Sequence, residues 1–301
     1  MYPLYPLDYP VKTFMEERWK TRKAGVVVVP VRFGATCSGE PGTAFGPDAI
    51  IAASEQLEHY DNEMRVTTTK KVPIATHAGI RASNDQAKVI KELTTLSTNL
   101  LRDGKFIFGL GGEHSITEIF VRACLSLARR PFTVLQFDAH SDWYNEYDGN
   151  KRSHACVGKR ISDLGTPLVQ VGVRSTTEDI EKARIKKGVR VFPAHELKSN
   201  WSKLTPVKIA RAIKTEYVYV TIDVDCLDIP YIGSCTGLPE PGGPSWDHIV
   251  MILRAVAQYK KIIGADMVEF RPSGDATFAY AFAMAKMMYK LLTYRYYFAK
   301  K

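Results

Sequence analysis

Two periodicities alternate along the chain. Consecutive apolar residues, many of them β-branched, fill 25–31, 106–110, 132–137, 168–173, 217–222 and 261–268, with shorter runs at 72–74 and 189–192. Runs of this kind predict parallel strands buried on both faces. Between them the apolar positions fall at helical spacing. Over 85–102 the residues Val89, Ile90, Leu93, Leu96 and Leu100 share one face. Further helices are expected over 116–129, 206–214, 246–259 and 276–294. Pro47 and Asp48 suit the first turn of another. About eight strands alternating with helices predict one doubly wound α/β domain with a mostly parallel sheet across 1–301. Residues 1–24 are expected to pack on it as an N-terminal extension. The Met and aromatic stripe of the last helix reads as core. The glycine-rich loop 34–46 matches no phosphate-binding pattern and is given no phosphate role.

The strand ends carry the chemistry. Residues 132–137 run straight into Asp138-Ala139-His140-Ser141-Asp142. If the extended geometry persists, Asp138, His140 and Asp142 point to one face. Residues 217–222 end in Asp223-Val224-Asp225, with Cys226 alternating away, and 261–268 ends in Glu269. Residues 106–110 lead through Gly111-Gly112 to Glu113-His114-Ser115, a glycine pair that admits a ligand or a neighbouring strand. Parallel strands place all these ends on the edge where open α/β sheets bind ligands. Taken alone, the 138–142 set also reads as a helix cap or a solvated loop. Taken together, the charges need a cation, because unpaired buried charge is costly. Four aspartates carry about four negative charges at neutral pH, which two divalent ions would balance. Oxygen and imidazole ligands without thiolate favour manganese, with zinc, cobalt and nickel as alternatives. Two ions roughly 3.5–4 Å apart acidify a shared water.

Composition narrows the partners. No apolar run approaches the roughly 20 residues that span a bilayer, and residues 1–6 have no signal-peptide pattern. Five cysteines without a CxxC pair read as reduced thiols of a cytoplasmic protein. The net charge of +9 invites a polyanion reading. Its densest groups, 182–190 (expected to be a solvated helix and turn) and the 295–301 tail, have no nucleic-acid motif beside them. Neither a nucleic acid nor a membrane is expected as partner.

With Gly111-Gly112-Glu113-His114-Ser115, Asp138-Ala139-His140-Ser141-Asp142, Ser153-His154-Ala155-Cys156, Asp223-Val224-Asp225, Pro239-Glu240-Pro241-Gly242-Gly243 and Asp266-Met267-Val268-Glu269 in this order, residues 26–292 resemble the ureohydrolase (arginase/agmatinase) family. The resemblance implies a three-layer α/β/α fold with an eight-stranded parallel sheet, two Mn2+ ions, and trimers or hexamers. It implies His114, Asp138, Asp142 and Asp223 around one ion, and Asp138, His140, Asp223 and Asp225 around the other. Asp142 would pass a proton to the leaving amine, Glu269 would pair with the guanidinium, and His154 would shuttle protons to solvent. His154 as a loop organiser and Glu269 as a salt-bridge partner are the bland readings. The 239–243 and 153–156 stretches look more like agmatinases than arginases. The acidic, aromatic loop 145–151 suits an amine tail, although Lys151 and Arg152 pull the other way. Ser234-Cys235-Thr236-Gly237-Leu238 departs from the family's usual Pro-Gly-Thr-Gly-Thr. The expected reaction is hydrolysis of agmatine to putrescine and urea, with arginine, guanidinobutyrate and aminopropylagmatine as alternative substrates. A dinuclear phosphoesterase, which would add GDxxD and GNH[DE] stretches, and a catalytically idle metal-bound assembly are the competing classes.

Overall fold

All eight apolar runs become strands of one sheet. The computed structural model describes residues 12–128 and 130–299. In chain order its elements are β1 (Val26–Val31), α1 (Gly46–Ser54), β2 (Tyr60–Asp61), β3 (Val66–Thr67), β4 (Ile74–Thr76), α2 (Gln86–Arg102), β5 (Phe106–Gly111), α3 (Ile116–Leu127), β6 (Phe132–Phe137) and α4 (Val157–Asp163). Then follow β7 (Leu168–Val171), α5 (Glu178–Lys186), β8 (Arg190–Phe192), α6 (Ala194–Ser199), α7 (Thr205–Ala212), β9 (Tyr217–Asp223), α8 (Ile229–Ile232), α9 (Trp246–Tyr259), β10 (Lys261–Val268) and α10 (Thr277–Phe298). The sheet order is β4-β1-β5-β10-β9-β6-β7-β8, and each neighbouring pair is parallel. β2 and β3 form a separate antiparallel hairpin. Two-residue strands leave no periodicity, so no sequence pattern announces it.

Helices cover both faces, and β1 shows how. Val26 and Val28 join a core with Ile50 of α1, Ile249 and Leu253 of α9 and Met284 and Met288 of α10. Val27, Val29 and Val31 join the opposite core with Val89 and Leu93 of α2 and Ile116 and Phe120 of α3. Burial on both faces is why the run shows no polar alternation, and each such side chain contributes about 1.5–3 kcal/mol of transfer free energy. The result is an α/β/α sandwich. Pro30 fits within β1 because its carbonyl faces the β4 side, where Ile80 N donates to it after β4 has stopped at Thr76. The missing N–H therefore falls beside an edge. The methionines and tyrosines of α10 are core, with Met284, Met287, Met288, Tyr289 and Tyr294 all buried.

Several expectations change in detail. Of the expected extension, residues 1–11 lie outside the described residues. Phe14 and Met15 are buried, their amides donating to Thr76 Oγ1 (2.8 Å) and Ser54 Oγ (2.9 Å). The 182–190 stretch is not wholly solvated. Arg184 is buried and its Nη1 donates to Gln170 Oε1 at 2.8 Å. Arg295 is also held, with its guanidinium carbon 4.1 Å from the centre of the Phe106 ring and its Nε donating to Ile262 O. No described helix is long and apolar enough to cross a membrane. Most consequentially, β5 and β6 are not neighbours although they follow one another in the chain. The crossover after α3 skips two places, which β9 and β10 later fill. That reversal of strand order opens the crevice in which such sheets bind ligands.

Candidate metal centre and active site

The four central strands β5, β10, β9 and β6 deliver every candidate side chain except His154 to one edge. His114 follows β5, Glu269 follows β10, and Asp223 ends β9, with Asp225 in the 3-10 turn Val224–Cys226. The 138–142 set follows β6, but extended geometry does not persist there. The strand stops at Phe137, and Asp142 lies in the left-handed region with φ 47°. Backbone amides do the aiming instead. His140 N donates to Asp138 Oδ1 (2.6 Å), Ala139 N to Asp225 Oδ1 (3.0 Å) and Asp225 N to Asp223 Oδ1 (2.9 Å). Each carboxylate thus has one oxygen tied to the backbone. Glu269 is left-handed too, with φ 63°. Such a conformation costs a non-glycine residue about 1–3 kcal/mol and concentrates at functional sites.

His114 is the centre of the first cluster. Its Nδ1 is 3.2 Å from Asp142 Oδ2, 3.2 Å from Asp223 Oδ2 and 3.3 Å from Asp138 Oδ2. It is fully buried and makes no aligned hydrogen bond with any of them. On its other side Nε2 meets Thr221 Oγ1 at 3.0 Å, and that hydroxyl donates to Asp266 Oδ1 at 2.6 Å. With its own proton committed to Asp266, the Thr221 oxygen accepts from Nε2–H. This leaves Nδ1 in the gap between three carboxylates. Burial disfavours the imidazolium, but Asp138, Asp142 and Asp223 outweigh it and raise the group well above its usual range, so a bound cation would take the place of the Nδ1 proton. Asp266 is itself held by Tyr219 OH (2.7 Å) and Thr117 Oγ1 (3.1 Å). Carboxylate-oriented imidazoles of this kind are typical supports of metal ligands.

The second cluster shares Asp138 with the first. His140 Nδ1 is 2.8 Å from Asp225 Oδ2 and 3.8 Å from Asp138 Oδ1. Ligand atoms of His114, Asp138 and Asp223, and separately of Asp138, His140 and Asp225, lie within 4.8 Å of one another. Asp142 borders the first set through its contact with His114. Thiolate is absent from both sets: Cys226 is buried in the core, as its alternation predicts. A buried imidazole nitrogen without an aligned hydrogen bond, facing hard oxygen donors, suits divalent cations such as manganese.

The electrostatics say the same thing. Burial and the neighbouring Asp142 and Asp225 push Asp138 up to about 7. Burial and Asp225 raise Asp223 well above the usual carboxylate range. Burial disfavours the imidazolium of His140, but Asp225 and Asp138 outweigh it and bring that group to about 11. Burial would likewise raise Asp225, yet His140 holds it at about 2. Protons are recruited where positive charge is short.

The edge opens into a cavity of about 290 Å³. Asp142, Asp223, Asp225, Glu240 and Glu269 line it with His140 and His154, and among the described residues no lysine or arginine does. Glu269 Oε1 accepts from His114 N at 2.6 Å; burial and Glu113 raise its pKa well above the usual range. His154, in the 3-10 turn before α4, forms part of the wall, with Nε2 3.0 Å from Ser38 Oγ and Nδ1 3.4 Å from Thr36 Oγ1.

The Arginase family model matches residues 24–293. The chain belongs to the arginase family. It is therefore a ureohydrolase, a hydrolase of linear amidines that acts on a guanidino substrate. It is 34% identical over 290 residues to an N(1)-aminopropylagmatine ureohydrolase of Synechocystis sp., with 94% of each chain covered. It is 31% identical to an agmatinase of Pyrococcus horikoshii, covering 84% of this chain and 86% of the relative. Among solved structures, the agmatine ureohydrolase of Thermoplasma volcanium superposes with a TM-score of 0.86 at 28% identity, covering 97% of each chain.

Within this arginase-family site, some residues escaped the reading of motifs. The 34–46 loop, given no phosphate role and no other, supplies Thr36 and Ser38. Thr36 N and Oγ1 donate to Glu113, a fully buried carboxylate that also accepts from Ser115 Oγ. The glycine pair admits a neighbouring segment rather than a ligand: a Cβ on Gly112 would lie 1.8 Å from Phe33 O. Thr221 and Asp266 support His114 from inside β9 and β10. Their signal was available, since a carboxylate in the middle of an apolar strand needs partners. Arg174 was missed as well; its guanidinium donates to the carbonyls of Gly172, Asp225, Cys226, Leu227, Glu240 and Pro241.

Proposed function

We propose that this ureohydrolase cleaves a guanidinoalkylamine, with agmatine as the substrate giving urea and putrescine. The observation that carries the reading is the cavity lining: five carboxylates, two histidines and neither lysine nor arginine. Such a wall attracts a cationic tail and offers the α-carboxylate of arginine hydroxyl groups but no lysine or arginine. The Synechocystis relative supports a second reading, in which the tail carries a further aminopropyl group. Free cysteines at all five positions suit a reducing compartment, and we place the reaction in the cytoplasm.

In this reading His114, Asp138, Asp142 and Asp223 hold one Mn2+, and Asp138, His140, Asp223 and Asp225 hold the other. When bound, the pair supplies Lewis acidity and an acidified water. Glu269 has one oxygen fixed by His114 N, and among the described residues its other oxygen accepts no hydrogen bond. A guanidinium would restore its charge and be held at a fixed angle. Water adds to the guanidinium carbon, the bond from that carbon to the alkyl-bearing nitrogen breaks, and urea departs. Asp142 carries the proton to the leaving amine. His154, on the solvent side of the wall, exchanges protons with bulk water.

Urea release should be measured with added Mn2+ from agmatine, aminopropylagmatine, guanidinobutyrate and arginine. Turnover of one of the first two above both carboxylates is expected; preference for arginine would overturn the substrate reading. Glu269→Gln should lower kcat about a hundredfold, as loss of a preorganised charged partner does, with two ions still bound. Loss of the ions in that variant would make Glu269 a structural residue.

A further inference from the structure

We propose that Tyr144, Tyr147 and Glu240 form an outer subsite that reads the number of positive charges on the substrate's amine tail. The inference rests on the guanidinoalkylamine reading and adds to it the residues that discriminate between tails. All three line the cavity. The Tyr144 and Tyr147 rings are 5.5 Å apart, and Ser38 Oγ donates to Tyr147 OH at 3.3 Å. The next residue, Gly39, lies against the opposite loop, where a Cβ built on it would fall 2.6 Å from Gly237 O. That loop continues through Leu238 to Glu240. A turn lacking side chains at this contact lets the two loops meet as one rim.

The wall is also fixed in place. Tyr147 and Asn150 exchange both backbone hydrogen bonds (3.1 and 2.9 Å), and Tyr144 N donates to Ala155 O at 3.1 Å. Arg174 Nη2 donates to the Glu240 carbonyl at 2.8 Å. The Glu240 side chain itself is uncommitted. Among the described residues its carboxylate accepts no hydrogen bond, and its ion-pair neighbour is His140 Nε2 at 4.0 Å. Tyr144 is 40% exposed, which leaves its ring open to a ligand. A cavity that presents one uncommitted carboxylate and two tyrosine rings can take an ammonium group, which gains charge attraction from the first and cation–π attraction from the rings. The guanidinium belongs at Glu269, deeper in the cavity, so the rim can meet only a nitrogen further along the tail.

KM and kcat for agmatine and for its aminopropyl derivative should be compared in wild type, Glu240→Gln and Tyr144→Ala, with bound Mn2+ quantified in each. Each variant should raise KM for the aminopropyl compound about tenfold and that for agmatine less than about threefold, the size expected of one lost cation contact. Tyr144→Ala tests the wall without touching His140. Equal rises for both compounds, or none, would overturn the subsite. Wild-type protein that releases urea from neither compound would instead overturn the activity reading. The subsite would then stand if spermidine binds wild type more tightly than putrescine and loses that margin in Glu240→Gln, and fall if it does not.

Discussion

Two clusters of charged side chains, one buried at the cavity and one half-buried under the β2–β3 hairpin, are built on opposite plans. Outside the cavity lining, Asp61 and Glu63 of the hairpin meet α9 and α10. Lys290 Nζ lies 2.8 Å from both Asp61 Oδ2 and Glu63 Oε2, Arg254 Nε lies 3.2 Å from Glu63, and Tyr294 OH donates to Glu63 at 2.6 Å. Two carboxylates face two permanent cations. Burial would raise Glu63, yet Lys290 and Tyr294 bring it below its usual value. At the cavity, four aspartates face two imidazoles and no lysine or arginine. There the same burial drives Asp138 and Asp223 upward, and it opposes the charged form of His140, which the facing Asp225 and Asp138 carboxylates restore. One cluster is complete within the chain; the other is complete only with cations from outside.

The contrast is broken most directly by Asp138→Asn. The shared carboxylate touches both ligand sets, so urea release should fall to background and bound Mn2+ should be lost. That is more than the roughly 10- to 100-fold effect of altering a residue that merely supports a ligand. The metal-free variant should nonetheless melt higher than metal-free wild type, by about 1 kcal/mol, because a repelled charge has gone. A variant that keeps activity and metal removes Asp138 from the site. Lys290→Met should do the reverse. It strands Asp61, which is buried, and should cost about 3 kcal/mol in denaturant unfolding, while kcat of the folded, metal-loaded enzyme holds. Unchanged stability would mean that solvent already screens that pair.

How far could this difference be read from the residues alone? The strands of the sheet were legible because burial on both faces writes itself as unbroken apolar runs. The carboxyl-end charges were legible because Asp138, Asp223 and Glu269 interrupt such runs abruptly. Their aim was not: it comes from amides of Ala139, His140 and Asp225 and from left-handed backbone at Asp142 and Glu269, and no side-chain period encodes either. Strand order was illegible too, since the placing of β9 and β10 between β5 and β6 depends on contacts remote in sequence. The Lys290 cluster escaped for a related reason. Lys290 is an ordinary helical lysine until residues 61 and 63, more than two hundred positions away, fold against it.

The smallest effect is also the sharpest test of incompleteness, because its sign is unusual. In metal-stripped protein Asp138 titrates near 7 and His140 near 11, whereas in the unfolded chain they return to about 3.9 and 6.5. Both folded values are raised, so the folded state binds more protons than the unfolded one. Asp138 then contributes stability that is present below about pH 4 and lost as the pH rises to about 7; His140 contributes stability lost between about 6.5 and 11. Asp225, held at about 2, works the other way, but its contribution changes only below about pH 4. Melting of metal-free protein should therefore fall from pH 5 to pH 8. With Mn2+ present the slope should invert, since protons compete with the ions for the same atoms and acid weakens binding. Parallel pH profiles with and without Mn2+ would show that the cavity cluster is balanced from within, like the one at Lys290.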